Sequence, residues 1–244
     1  MLIPLDYRVE DVLQQHAVIR EKRRPGYKWP DRWPYTAEYS WACEKLATYV
    51  QQPHDKARVM DAGGGQSSMQ HFLAENYGEA VNVDVKPGHH HQDCITRATL
   101  IQSDLEDTPM LDPGSFDGIL SLSAIEHNDW DKILRIVRNL LSLLKPGAPL
   151  VVTVPAFEVA TYYQQGEWPE PHQSWPEQFN FDADAFRDLF AAVEDLATVA
   201  EPTDLPDTEA YREQAREFYD DIQTNSLPSA RRPYLSAGFV LIRK

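Results

Sequence analysis

Positive charge is scarce in this chain: 23 Lys and Arg stand against 38 Asp and Glu, a formal net charge of −15. A nucleic-acid partner needs a Lys or Arg at each phosphate, and this surface repels a polyanion, so no nucleic acid is expected. Long apolar runs are missing too. No stretch reaches the roughly 20 residues that span a bilayer, and the N-terminus lacks a charged-then-apolar signal pattern. No membrane partner and a cytoplasmic location are therefore expected. Cysteine is limited to Cys43 and Cys94, in unrelated contexts without metal-type spacing. They fit free thiols in a reducing compartment, and neither is assigned a catalytic role. There is no internal repeat. What remains is 244 residues with 42% hydrophobic content, enough for one sizeable core and one α/β domain with embellishments.

The chain is organised around Val59-Met60-Asp61-Ala62-Gly63-Gly64-Gly65-Gln66-Ser67-Ser68. A short apolar run ends in an acid, glycines follow, and helical spacing begins through Met69, Phe72 and Leu73: strand, tight loop, helix. Glycine suits a backbone that turns sharply and lets a nucleotide-like ligand come close. A dinucleotide fingerprint would place its third glycine at position 68, where Ser68 stands instead, and this speaks against NAD. Asp61 at the strand end repels a pyrophosphate and attracts an ammonium or hydroxyls. S-adenosylmethionine carries an ammonium and a sulfonium and no phosphate. Val81-Asn82-Val83-Asp84 forms a second strand, whose closing Asp84 is placed to accept two hydrogen bonds from a ribose diol and suits either cofactor.

These residues resemble the class I S-adenosylmethionine-dependent methyltransferases. Asp61-Ala62-Gly63-Gly64-Gly65 matches the family's D-x-G-x-G loop, and Asp84, followed by Val85, matches its ribose-binding acid. Ser103-Asp104-Leu105 matches the turn whose acid and following amide read the adenine. Phe116-Asp117-Gly118-Ile119-Leu120-Ser121 matches the fourth strand, and Leu144-Lys145-Pro146-Gly147 the turn before the fifth. The elements occur in the family's order. The resemblance implies a Rossmann-like, doubly wound, mostly parallel seven-stranded sheet with an antiparallel C-terminal strand. It implies cofactor contacts at Asp61, Ala62, Gly63, Gly64, Gly65, Asp84, Val85, Ser103, Asp104, Leu105 and Ser121. S-adenosylmethionine would be the donor and S-adenosylhomocysteine the product.

Around this domain, taken as residues 51–244, the rest of the chain is read in order. Residues 9–24 have helical spacing and stop at Arg23-Arg24-Pro25-Gly26. Residues 1–50 form an N-terminal helical and aromatic extension, in which Tyr27, Trp29, Trp33, Tyr35, Tyr39 and Trp41 either pack on the main domain or close over the cofactor. Thr36 is placed to cap a helix running to about Val50, carrying Trp41, Leu46 and Tyr49 inward. His89-His90-His91 reads as a solvated loop, since adjacent loop side chains rarely converge on one ion. Asp104 is also placed to cap its own turn, and Asp129 and Asp182 to cap helices. Pro149 to Pro155 reads as a buried strand.

From Ala156 to Phe181 no period is evident; the resemblance implies that the segment after this strand supplies the acceptor pocket, which its length supports, with Tyr162 and His172 as contacts. Val193 to Val199 is expected as the sixth strand and Leu235 to Ile242 as the last. Residues 201–230 read as an insertion with an acidic helix from Glu209 to Ile222, which covers the active site or makes a homodimer contact.

Chemistry is expected beyond the carboxyl ends of the parallel strands, where Ser121-Leu122-Ser123-Ala124-Ile125-Glu126-His127-Asn128 ends the fourth. His127 has an unperturbed pKa near neutrality and suits a general base toward a hydroxyl or amine, or else orients the loop. Relatives carrying E-x-x-E-H here bind a metal, but Ser123 replaces the first carboxylate and no metal is predicted. The expected activity is methyl transfer to an O or N of a small-molecule acceptor. The alternatives are an NAD(P)-dependent oxidoreductase and a non-catalytic S-adenosylmethionine-binding module.

Overall fold

Strand side chains alternate between two faces, and here both faces are covered, so the central strands are mostly apolar on both faces. In the computed structural model, which describes residues 35–67, 69–88, 97–156, 161–164, 177–201 and 235–244, strand β1 (Arg58–Ala62) buries Val59 on one face and Met60 and Ala62 on the other. It pairs in parallel with β2 (Glu79–Asp84) and β4 (Gly118–Leu122). Strand β3 (Thr99–Gln102) joins β2, and β5 (Pro149–Ala156) joins β4, again in parallel. The last strand, β9 (Leu235–Arg243), runs antiparallel to β5 and to β8 (Ala197–Glu201). The sheet thus has seven strands in the order β3-β2-β1-β4-β5-β9-β8, as the resemblance implied.

Helices pack on each face according to that alternation. Helix α3 (Trp130–Leu143) and α4 (Ala183–Ala192) bury Ile133, Ile136, Val137, Leu140, Leu141, Phe186 and Leu189 against Met60, Val81, Ile119, Leu150 and Phe239. Helix α1 (Tyr35–Tyr49) and α2 (Met69–Asn76) bury Trp41, Leu46, Met69 and Leu73 with Val59, Ala80, Leu120, Val151 and Val240. Fully burying one such aliphatic or aromatic side chain contributes about 1.5–3 kcal/mol. Asp129 caps α3 by accepting from Lys132 N–H at 2.8 Å, and Asp182 caps α4 from Ala185 N–H at 2.8 Å, as expected.

Three boundaries differ from the sequence expectation. Helix α1 starts at Tyr35, one residue before the expected Thr36 cap. Strand β8 begins at Ala197 and not Val193, because Leu196 and Ala197 N–H still bond back to the Val193 carbonyl as a last turn after α4. Within 156–181, β6 (Thr161–Gln164) and β7 (Glu177–Asn180) form an antiparallel pair where no period was evident; strands this short leave almost no alternation to detect. The expected helices at 9–24 and 209–222 lie outside the described residues. Among the described residues no helix is long and apolar enough to cross a membrane.

Candidate active site

Strand parity puts Asp61 on the α1–α2 face, two residues after Val59. There Ser67 Oγ donates to Asp61 Oδ2 at 3.2 Å and accepts from Met69 N–H at 3.3 Å, tying the carboxylate to the start of α2. Asp61 is 2% exposed. Burial pushes its carboxyl from 3.8 up to about 7, with the Ser67 hydrogen bond opposing the rise and the Asp84 charge adding to it. Beside it, burial and then the Asp61 charge push the Cys43 thiol well above its ordinary range, consistent with an inert structural thiol.

The glycine requirement is specific at two positions. Gly63 has φ +79°, and a Cβ there would stand 2.4 Å from the Ala124 Cβ; a Cβ on Gly64 would stand 2.2 Å from Asp61 Oδ2. The loop therefore lies flush against both the β1 carboxylate and the segment after β4. Gly65 is clamped by β2: Asn82 Nδ2 donates to its carbonyl at 2.9 Å and its N–H donates to Asp84 Oδ2 at 3.0 Å. Lys86 N–H donates to Asp84 Oδ1 at 2.7 Å. Two backbone amides thus fix the Asp84 carboxylate and leave lone pairs on both oxygens for further donors.

After β3, Asp104 Oδ1 accepts from Glu106 N–H at 3.0 Å and Oδ2 from Lys132 Nζ at 2.6 Å. Burial works against its charge, but the Lys132 bond, the Glu106 amide and the Lys132 charge outweigh it and hold the carboxyl below its ordinary value. After β4, Ser123 takes φ +46°, a left-handed conformation that costs a non-glycine residue about 1–3 kcal/mol. Its N–H donates to the Thr153 carbonyl at 3.0 Å, which holds the reversal. That reversal brings Ala124 against Gly63 and starts the short helical turn Ile125–His127.

These features meet in one cavity of about 410 Å³. Of the expected site residues, Asp61, Gly63, Gly64, Asp84, Val85, Asp104, Leu105 and His127 line it. Gly65 stands behind it through Asp84. Ala62 and Ser121 are fully buried in their strands and do not line it; Ser121 Oγ has no hydrogen-bond partner among the described residues. Ser103 shapes the turn by donating to the Asp107 carbonyl at 2.9 Å. The side chain of Tyr162, together with His172, His89, His90, His91 and Cys94, lies outside the described residues.

Further residues take part that were not named as site residues, four of them polar groups with an evident role. Ser67 holds Asp61, Asn82 holds Gly65, and Tyr39 and Lys132 line the cavity. Asn82 had a signal, as the lone amide in an apolar strand, and Tyr39 stood in the aromatic stretch read as packing or cover. Lys132 had none, because its partner is 28 residues away.

A doubly wound sheet with an antiparallel last strand, and a glycine loop facing carboxylates beyond its parallel strands, defines a Rossmann-like cofactor-binding domain. The glycine cradle, the buried Asp61 and the half-buried Asp84 and Asp104 fit a ligand bearing an ammonium and a ribose. Residues 60–152 match the model of a methyltransferase domain. Over that segment the chain is similar to a methyltransferase domain, in keeping with the resemblance to the class I S-adenosylmethionine-dependent methyltransferases, whose methyl donor is S-adenosylmethionine.

No curated protein matches it. Similar solved structures include the 1,6-didemethyltoxoflavin-N1-methyltransferase of Burkholderia thailandensis with bound 1,6-didemethyltoxoflavin and S-adenosylhomocysteine, at 16% identity and TM-score 0.59 over 100% of this chain and 91% of that one. The magnesium protoporphyrin IX methyltransferase of Synechocystis PCC 6803 with bound SAM aligns at 14% identity and TM-score 0.51, covering 97% and 95%. The [4+2]-cyclase SpnF aligns at 15% identity and TM-score 0.53, covering 90% and 84%. At these identities the likeness is one of fold, and a cyclase on the same fold shows that the fold alone does not set the reaction.

Proposed function

We propose that this chain transfers a methyl group from S-adenosylmethionine to an oxygen or nitrogen of a small-molecule acceptor, as a cytoplasmic enzyme. One observation carries this: a single cavity gathers Asp61, Asp84 and Asp104 from the ends of three adjacent parallel strands, with His127 from beyond the fourth. Acids so arranged favour a ligand offering an ammonium and hydroxyls, and oppose the pyrophosphate of a nicotinamide dinucleotide.

The roles divide along the cavity. Asp61, steadied by Ser67, would hold the ammonium, while Gly63, Gly64 and Gly65 let the backbone approach. Asp84 would accept from the ribose hydroxyls beside Val85, and Asp104 with the Leu105 amide would face the adenine. Ala62, Ser103 and Ser121 support these groups from the strands and turn beneath. When bound, the cofactor supplies an activated methyl on a sulfonium. The chain then has to orient the acceptor and exclude water, and such positioning contributes about 7–11 kcal/mol to lowering a barrier. His127 is the group that takes the proton from the acceptor hydroxyl or amine.

The test is transfer of a deuterated methyl group from labelled S-adenosylmethionine into fractionated small-molecule extracts, read by mass spectrometry. The expected result is a labelled O- or N-methyl product, with His127→Asn lowering kcat at least tenfold and leaving S-adenosylhomocysteine affinity within about twofold. Binding of the cofactor with no labelled product in any fraction would instead mark a non-catalytic binding module.

A further inference from the structure

Gln70, in the first turn of α2, is buried, with 1% of its surface exposed. Its Nε2 donates to two carbonyls, Ser67 at 3.0 Å and Gly88 at 2.8 Å, while its buried Oε1 has no hydrogen-bond partner. An unmet polar atom in the interior costs stability that a methionine or leucine of similar size would not. Packing is therefore a weak reason for an amide at this position. The two carbonyls it joins are a better one.

Those carbonyls belong to different parts of the cavity wall. Ser67 closes the glycine loop, and its hydroxyl steadies Asp61. Gly88 ends the turn that leaves β2 through Asp84 and Val85. Where turn and loop meet, Gly88 N–H donates to the Gly65 carbonyl at 3.1 Å, and a Cβ on Gly88 would stand 3.2 Å from the Gln66 side chain. Gly65 N–H in turn holds Asp84 Oδ2, and Lys86 N–H holds Oδ1. Gln70 bolts this ring to α2 from behind, and neither Gln70 nor Gly88 lines the cavity. One amide, fixed on a helix, thus sets the separation of Asp61 from Asp84.

We propose that Gln70 is a positioning residue that latches the ammonium end of the cofactor site to its ribose end, at the spacing a single cofactor spans. This rests on the cofactor assignment above. A ligand joined across two subsites gains from the join only while both can be engaged at once. Loosening the latch therefore penalises a spanning ligand and spares one that occupies a single end.

The test is calorimetric titration of wild type and Gln70→Met with S-adenosylhomocysteine, which spans both ends, and with 5′-methylthioadenosine, which keeps the ribose and purine but has no ammonium. In Gln70→Met the first should weaken at least roughly tenfold and the second by less than about threefold. A merely structural glutamine would weaken both ligands alike or neither, and either outcome overturns the inference while leaving the cofactor assignment standing. Should Gln70→Met not fold, Gly88→Pro carries the same test with the same selective loss expected, because it removes the N–H bond to the Gly65 carbonyl from a half-buried turn. Wild type that binds S-adenosylhomocysteine but not 5′-methylthioadenosine has no separate ribose end, which also overturns the inference. Failure of the wild type to bind S-adenosylhomocysteine overturns the cofactor assignment and this inference with it.

Discussion

Replacing Asp61 with asparagine should stabilise the ligand-free protein at mildly alkaline pH. Asp61 is 2% exposed at the end of β1, and burial lifts its carboxyl from 3.8 to about 7, against the Ser67 hydrogen bond and with the Asp84 charge. Between those two values the folded chain holds a proton that the unfolded chain has released. The stabilisation from the protonated acid is therefore fully present below the unfolded value and is lost as pH rises through about 7. At about 1.4 kcal/mol per pH unit, the loss between pH 5 and pH 8 is about 3 kcal/mol.

Asparagine has the same shape and does not titrate, and the Ser67 hydroxyl can turn to meet either of its atoms. The assay is chemical denaturation of both proteins at pH 5 and at pH 8; subtracting the variant's change from the wild type's cancels every other titrating group. Wild type should lose about 3 kcal/mol more than Asp61→Asn, equivalent to roughly 6–12 °C in Tm for a chain of this size. Equal responses within about 0.5 kcal/mol would refute the buried, charge-penalised carboxylate. The acid would be retained at this cost in stability because a cationic ligand favours its ionised form.

Affinity for S-adenosylhomocysteine should accordingly rise by roughly fivefold to tenfold from pH 6 to pH 8, as Asp61 ionises, and calorimetry of Asp61→Asn should show weak, pH-independent binding. Gly64→Ala places a Cβ 2.2 Å from Asp61 Oδ2; it should cost about 1–3 kcal/mol in denaturant unfolding and weaken the cofactor more than roughly tenfold. Asp117 is buried where it accepts from Arg58 N–H at 2.9 Å and Lys145 Nζ at 2.8 Å. Asp117→Ala should therefore cost about 1–3 kcal/mol in the same assay and leave ligand affinity nearly unchanged, because Asp117 lies outside the cavity lining.

What the sequence made legible were features encoded within a few residues. The apolar runs ending in Asp61 and Asp84, the glycines between strand and helix, and the capping acids Asp129 and Asp182 each carry their structural reason locally, and each element formed where that reason put it. Features made by distant partners were silent. Nothing near Lys132 announces Asp104, and the left-handed turn at Ser123 is imposed by Thr153 and the approach of Gly63 to Ala124. The β6–β7 pair was missed because four-residue strands carry too few alternations to separate from loop. His127 was singled out by its chemistry and its position after the fourth strand, and its place in the cavity lining is as far as the structure takes it.

The most direct measurement is calorimetric titration with S-adenosylmethionine, S-adenosylhomocysteine and NAD(P)H of wild type and of Asp84→Ala. Micromolar binding of both sulfur ligands, none of the nicotinamide, and a loss of at least roughly tenfold in the variant are expected, since a carboxylate held by two backbone amides and accepting from a ribose contributes more than about 1.4 kcal/mol. No binding of either sulfur ligand, a preference for the nicotinamide, or an unchanged affinity in Asp84→Ala would contradict the assignment of this cavity to S-adenosylmethionine.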